Sequence, residues 1–135
     1  MFTWPVRVYY EDTDLGGVVY YANYLKFFER ARTEWLRTLG INQSALLADR
    51  RLIFVIVGAE LSYLSPARFD DLLCVTAELS GRRRTNMTFS QVIHRDSTDG
   101  ERLATATVRA ACVDADNFRP RPIPPEIFTA MEQAS

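Results

Sequence analysis

The sequence predicts an α+β domain in which one long amphipathic helix is cradled by a curved antiparallel sheet. Three observations carry that reading. A single helical stretch of about sixteen residues begins near Asn23. Four strand-like stretches follow it, rich in Val, Ile, Thr, Phe and Leu and separated by SPARFDD, GRRR and DSTDGE. The last of them carries Ala104, Ala106, Val108, Ala110 and Cys112 on one face, side chains small enough to let a helix lie close against the sheet.

Each element has its own signal. From Pro5 to Tyr10 alternating residues rich in Val and Tyr suit a first strand, which leads into an acidic loop. Asn23 is placed to cap the helix. Tyr24, Phe27, Phe28, Ala31, Trp35 and Leu39 then fall within one arc, with Gly40 as a C-terminal stop. The helix is about 24 Å long at 1.5 Å per residue. Arg32 lies inside the apolar arc and Glu29 at its margin, three residues apart, where they can pair. A partner within the chain and one on another subunit both satisfy that buried charge. Asn42 to Asp49 reads as a short helical turn. Leu52 to Leu64, Leu72 to Ser80, Thr85 to Arg95 and Arg102 to Val113 read as strands, and the tail RPRPIPPEIF leads into a short helix from Pro125 to Met131.

The 135-residue chain is expected to form one domain, residues 1–135. A domain of that size buries roughly two-thirds of its unfolded surface. A net charge of -1 and 24% charged residues offer no strong field for nucleic acid, so any basic ligand site must be local. The opening MFTWPVRVYYEDTD lacks the basic and apolar segments of a leader, and no run of about 18 apolar residues occurs. A cytoplasmic protein without an integral membrane segment is expected. Cys74 and Cys112 sit far apart in apolar alternating stretches and are read as buried free thiols.

Several chemistries lose their footing. The chain has no Gly-rich phosphate loop with its Lys, no dinucleotide fingerprint, no HExxH and no GxSxG. His94 is the only histidine and is expected to be a solvated strand-end imidazole beside Arg95. Glu11, Asp12 and Asp14 are the one cluster able to take a hard cation such as Mg²⁺, but phosphate-binding groups would be expected beside it. No metal and no cofactor are expected.

The acidic loop is the candidate site. In YEDTDLGGVVYYANY, Asp14 is the last carboxylate before the helix, and Gly16 and Gly17 permit a sharp reversal. The first helical N–H groups, around Tyr21 to Tyr24, have no intrahelical partner and sit at the positive end of the helix dipole. They can stabilise the charge on a carbonyl oxygen under attack, while Asp14 attacks the carbonyl or deprotonates a water. The same residues also make an ordinary solvated turn whose Asp side chains cap it, and local physics leaves both readings standing.

The run Y-E-D-T-D-x-G-G-V-V-Y-Y-A-N-Y-L-x-F-F-E-R-A-R-T-E resembles the acyl-CoA thioesterases of the hotdog superfamily, nearest to the YbgC-type thioesterases associated with the Tol-Pal cluster, with the 4-hydroxybenzoyl-CoA thioesterases further off. The likeness continues through YLSPARFDD, Tyr63 to Asp71, and into the proline-containing tail. It implies a hotdog fold, a long central helix wrapped by a curved antiparallel sheet of five or six strands. It also implies a homo-oligomer, a dimer or a dimer of dimers (homotetramer), with active sites at subunit interfaces. The family's catalytic carboxylate falls on Asp14, and its carbonyl-polarising backbone N–H falls on Tyr21, where YbgC-type members often carry His. Tyr9 matches a supporting aromatic of some relatives.

By the same resemblance, the segment Gly81 to Thr85 matches a basic strand junction that contacts coenzyme A phosphates, with Arg83 and Arg84 as the candidate ligands. Arg119 and Arg121 are weaker candidates, and Arg68, Asp70 and Asp71 are read as loop residues. The implied activity is hydrolysis of acyl-CoA to free acid and coenzyme A. A non-catalytic acyl-CoA binding or partner-interaction module is one alternative. A hydratase or dehydratase is another, although such sites use a His that the motif lacks. Tyr20, Tyr21, Phe27 and Phe54 are expected walls of the acyl pocket.

Overall fold

The computed structural model describes residues 1–134. The chain runs through β1 (Phe2–Arg7), a 3₁₀ turn (Tyr10–Asp12), α1 (Asn23–Thr38), α2 (Gln43–Arg50), β2 (Leu52–Tyr63), β3 (Leu72–Arg82), β4 (Asn86–Arg95), β5 (Arg102–Asp114) and α3 (Pro125–Ala134). The five strands form one sheet in the order β1-β3-β4-β5-β2, antiparallel at every pairing. Strand count thus settles on five. Pro5 costs the ladder little because β1 is an edge strand, paired on one side only with Pro5 opposite Cys74.

β1 corrects the expected strand by three residues at each end. Its pairing with β3 stops at Arg7 opposite Leu72, and Tyr9 donates its N–H to the Asp12 carboxylate at 2.8 Å, which draws the chain into the 3₁₀ turn. The helix forms where its periodicity puts it, and Gly40 at φ +78° ends it. Its capping differs from expectation. Ala22 occupies the N-cap position without a side-chain bond, and Asn23 is the first helical residue. Asn42 does cap α2, accepting from the Ala45 N–H at 3.0 Å.

Phe27, Phe28, Ala31, Trp35 and Leu36 of α1 are buried against the sheet, with the Trp35 ring edge-on to Phe89 at 5.5 Å. The small face of β5 is buried throughout, as the alternation implies. The helix backbone nevertheless makes its closest approach over β3 and β1 rather than over that alanine-rich strand. Arg32 is buried and pairs across the core rather than with Glu29. Its guanidinium donates to Gln91 Oε1 at 3.0 Å, and Gln91 Nε2 donates to the carbonyls of Phe28 and Thr76, each at 3.1 Å. Burial lowers the Arg32 pKa, and the charge of Glu29 opposes that shift.

Candidate active site

The acidic loop is a closed hairpin-like turn. Thr13 bridges Val19, Asp14 N–H donates to Val18 O at 3.0 Å, and Gly17 N–H returns to Asp14 O at 3.0 Å. Gly17 adopts φ +75°, a conformation that residues with a Cβ rarely reach. The three carboxylates part company in this turn. Asp12 is buried and holds the Tyr9 N–H, so it is part of the frame. Glu11 is exposed. Asp14 is exposed as well, and its Oδ1 accepts the Gly16 N–H at 2.8 Å. The capped turn weighed against catalysis is therefore present, yet it occupies one carboxylate oxygen, and Oδ2 accepts no bond from the described residues. Among those residues no group of three or more His, Cys, Asp or Glu gathers to hold a metal.

Antiparallel to the acidic limb runs the limb that enters α1. Tyr20 N–H donates to Asp12 O at 2.9 Å, and Asn23 N–H closes a turn onto Tyr20 O at 2.9 Å. Between them the Tyr21 N–H has no acceptor among the described residues. Tyr63, the last residue of β2, donates its hydroxyl to Tyr21 O at 3.1 Å. Tyr24 accepts the Ala67 N–H on its hydroxyl at 3.0 Å, while Ala67 O receives the Val19 N–H at 2.8 Å. The phenol of Tyr24 is pushed above its usual range, chiefly by burial. That of Tyr20 is also raised, first by its hydrogen bond with Tyr21, with the Asp14 charge adding a smaller push. Asp14 thus lies within electrostatic reach of Tyr20, whose ring is 4.9 Å from that of Tyr21.

Beside the helix start is an open hollow of about 290 Å³, lined by Val19, Tyr21, Tyr24, Tyr63, Leu64 and Pro66 among others. Of the four expected pocket walls, Tyr21 alone belongs to it. Phe27 is wholly buried in the core, Phe54 lines a separate hollow against α2, and Tyr20 stands exposed outside. The sequence reading missed Tyr63. Its alternation marked a strand end, but nothing local announces that its hydroxyl meets the helix start.

Arg83 and Arg84 stand at the opposite end of the sheet. β3 begins beside Arg7 and the acidic loop and runs eleven residues to Arg82, about 33 Å at 3.3 Å per residue. Both arginines are exposed at the β3–β4 tip, and neither forms an ion pair among the described residues. Arg82 is committed to α3, stacked over the Phe128 ring at 5.1 Å and 3.8 Å from Glu132. Arg121 is committed too, donating to Arg50 O at 2.9 Å. Asp71 pairs with Arg95 at 3.2 Å, in keeping with a loop role. His94 corrects its expectation. It is buried, with Nδ1 at 3.2 Å from Gly100 O, because the hairpin to β5 folds back over it. Both cysteines are free; Cys112 is buried and Cys74 half-buried.

A family model described as the thioesterase-like superfamily matches residues 8–131. This chain belongs to that superfamily. It is 47% identical over 129 residues to a protein named acyl-CoA thioesterase YbgC from Haemophilus influenzae, covering 96% of this chain and 93% of that one. It is 44% identical over 134 residues to the acyl-CoA thioester hydrolase YbgC of Escherichia coli O6:H1, with 98% and 97% covered. The crystal structure of a probable thioesterase from Bartonella henselae superposes with a TM-score of 0.84 at 35% identity, covering 90% of this chain and 98% of its own. The expectation of a hotdog-fold thioesterase of YbgC type is met, and the chain is an enzyme of that family. No described helix is long and apolar enough to cross a membrane.

Proposed function

We propose that this chain is an acyl-CoA thioesterase, cleaving the thioester to a free carboxylic acid and coenzyme A, with Asp14 as the catalytic carboxylate and the Tyr21 backbone N–H as donor to the carbonyl oxygen. One observation carries this reading: the Asp14 carboxylate, its Oδ2 without a hydrogen bond among the described residues, is held on a limb bonded to the limb that ends in an uncapped helix start, where the Tyr21 N–H has no acceptor among those residues. Charge growing on the thioester oxygen would be met by that amide and the helix dipole, a contribution of ~3 kcal/mol by comparison with single oxyanion donors.

Two routes use the same atoms. In one, Asp14 takes a proton from water, the hydroxide adds to the carbonyl, and collapse of the tetrahedral adduct expels the coenzyme A thiolate, which takes up a proton. In the other, Oδ2 adds directly to the carbonyl, collapse of the tetrahedral adduct expels the thiolate, which takes up a proton, and leaves an acyl-enzyme anhydride, and water then hydrolyses the anhydride to the free acid and the Asp14 carboxylate. Single turnover in ¹⁸O-water separates them, because only the anhydride route can place the label in the Asp14 carboxylate.

Residues 1–135 act as one cytoplasmic domain that needs no metal or cofactor. The acyl-CoA nucleotide is gripped by Arg83 and Arg84, whose exposed guanidinium groups, in no ion pair among the described residues, suit phosphate oxygens. Because that tip and Asp14 lie at opposite ends of one sheet, the grip serves the site of a neighbouring subunit in a dimer or dimer of dimers. The exposed edge of β2, with Ile56 and Val57 each about half accessible, supports such an assembly. Thiol release from a panel of acyl-CoAs tests the whole reading. Cleavage of at least one member, abolished or strongly slowed in Asp14→Asn, is expected; an Asp14→Asn enzyme as fast as the parent would reject Asp14 as catalyst.

A further inference from the structure

Asn23 occupies a position that local preference does not explain. Asparagine is a poor helix-interior residue and a strong N-cap, yet here it is one residue inside the helix and Ala22 takes the cap position. What it does instead is bond outward: its Nδ2 donates to the backbone carbonyl of Asp12 at 2.9 Å, in a partly buried contact. That carbonyl also accepts the Tyr20 N–H at 2.9 Å, so both its lone pairs are engaged. Among the described residues this is the one side-chain hydrogen bond that joins the acidic limb to α1 itself. A residue set against its own preference and committed to a specific bond is a common mark of a functional position.

The placement is symmetric about the chemistry. Asp12 lies two residues before Asp14, and Asn23 lies two residues after Tyr21. The backbone bonds between the limbs fix Asp12 against Tyr20 and Asp14 against Val18, but both end before the helix. Asn23 belongs to the helix, so its carboxamide sets the rigid rod that presents the Tyr21 amide at a defined distance from the limb that presents Asp14. We infer that Asn23 is a positioning residue for thioester cleavage, acting through the separation of the Asp14 carboxylate from the Tyr21 N–H. This rests on the site proposed above.

The experiment compares Asn23→Ala and Asn23→Asp with the parent in thiol release from the best acyl-CoA of the panel, alongside thermal unfolding and an Asp14→Asn control. Misplacement of reacting groups by about 1 Å can cost about a hundredfold, so kcat is expected to fall at least ~10-fold in both variants. KM should stay within about twofold, since the acyl and nucleotide contacts are untouched. A kcat within about twofold of the parent in both variants overturns the inference. Where unfolding shifts downward, rates are read at a temperature at which the variant is fully folded: a loss that persists there supports positioning, and one that vanishes overturns it. The control separates two failures. Parental speed in Asp14→Asn rejects the site itself, whereas a slow Asp14→Asn beside a fast Asn23→Ala rejects Asn23 alone.

Discussion

The Tyr63 hydroxyl donates to the Tyr21 carbonyl at 3.1 Å, so the last residue of β2 holds the point at which α1 begins to wind. Its ring adds edge contacts to Tyr21 at 6.3 Å and to Tyr24 at 5.2 Å. Tyr63→Phe removes the bond and keeps the rings. We expect kcat to fall several-fold with KM little changed, and stability to drop by about 1 kcal/mol, the usual worth of one hydrogen bond. Steady-state thiol release with denaturant unfolding of the same preparation checks both numbers.

Gly16 and Gly17 separate two effects on Asp14. A Cβ at Gly17 would meet open space, so Gly17→Ala acts through its φ of +75°, at a cost of roughly 1–2 kcal/mol. A Cβ at Gly16 would stand 3.2 Å from Asp14 Oδ1, pressing on the carboxylate without that backbone penalty. Gly17→Ala should therefore lower both the unfolding midpoint and kcat, and Gly16→Ala should lower kcat with a smaller change in midpoint. Parallel melts and rate measurements distinguish them.

The β4–β5 hairpin depends on close approach at Gly100, where an added Cβ would fall 1.7 Å from the Arg95 carbonyl oxygen. A backbone atom cannot step aside as a flexible side-chain end does. Gly100→Ala should destabilise by at least ~1–3 kcal/mol, the range for overpacked sites, and loosen the cover over His94. Hydrogen exchange across Arg95 to Arg102 would register the loosening.

The core polar network is asymmetric. Gln91→Leu strands the Arg32 guanidinium and takes a donor from the Phe28 and Thr76 carbonyls as well, whereas Arg32→Met leaves only one amide oxygen unpaired. The first should cost about 3–5 kcal/mol, as breaking a buried charged contact does, and the second distinctly less. Denaturant midpoints of the two single variants give the order directly.

Burial pushes the Cys112 thiol from 9.0 up to about 11. The unfolded chain would ionise this thiol first, so the folded state holds more protons over that interval and stability falls as pH rises from about 9 towards 11. Cys112 should also resist thiol reagents in the native enzyme and react on unfolding. Unfolding midpoints of parent and Cys112→Ala across that range isolate the effect, since the variant should lack this part of the alkaline slope.

Patterning along the chain made most elements readable. Helical spacing from Tyr24 to Leu39, Gly40 as a stop, the short helical turn after Asn42 and β-rich stretches between turn residues all report local preference, and each appears where expected. The misreadings share a cause, which is competition from a partner that local pattern does not reveal. Val8 to Tyr10 look like strand until the Asp12 carboxylate takes the Tyr9 N–H. Asn23 looks like a cap until Asp12 O competes for its amide, and His94 looks solvated until a hairpin folds over it.

The sequence alone determined the α+β class, the single long helix and Asp14 as the carboxylate next to its start, because these follow from periodicity and from residues adjacent along the chain. Only the tertiary structure decided which Asp14 oxygen is free, that Tyr63 and Asn23 brace the helix start, and that Arg83 and Arg84 stand at the far end of β3. Most of those are contacts between segments apart in the chain, set by strand register and the packing of side chains, which no local pattern encodes.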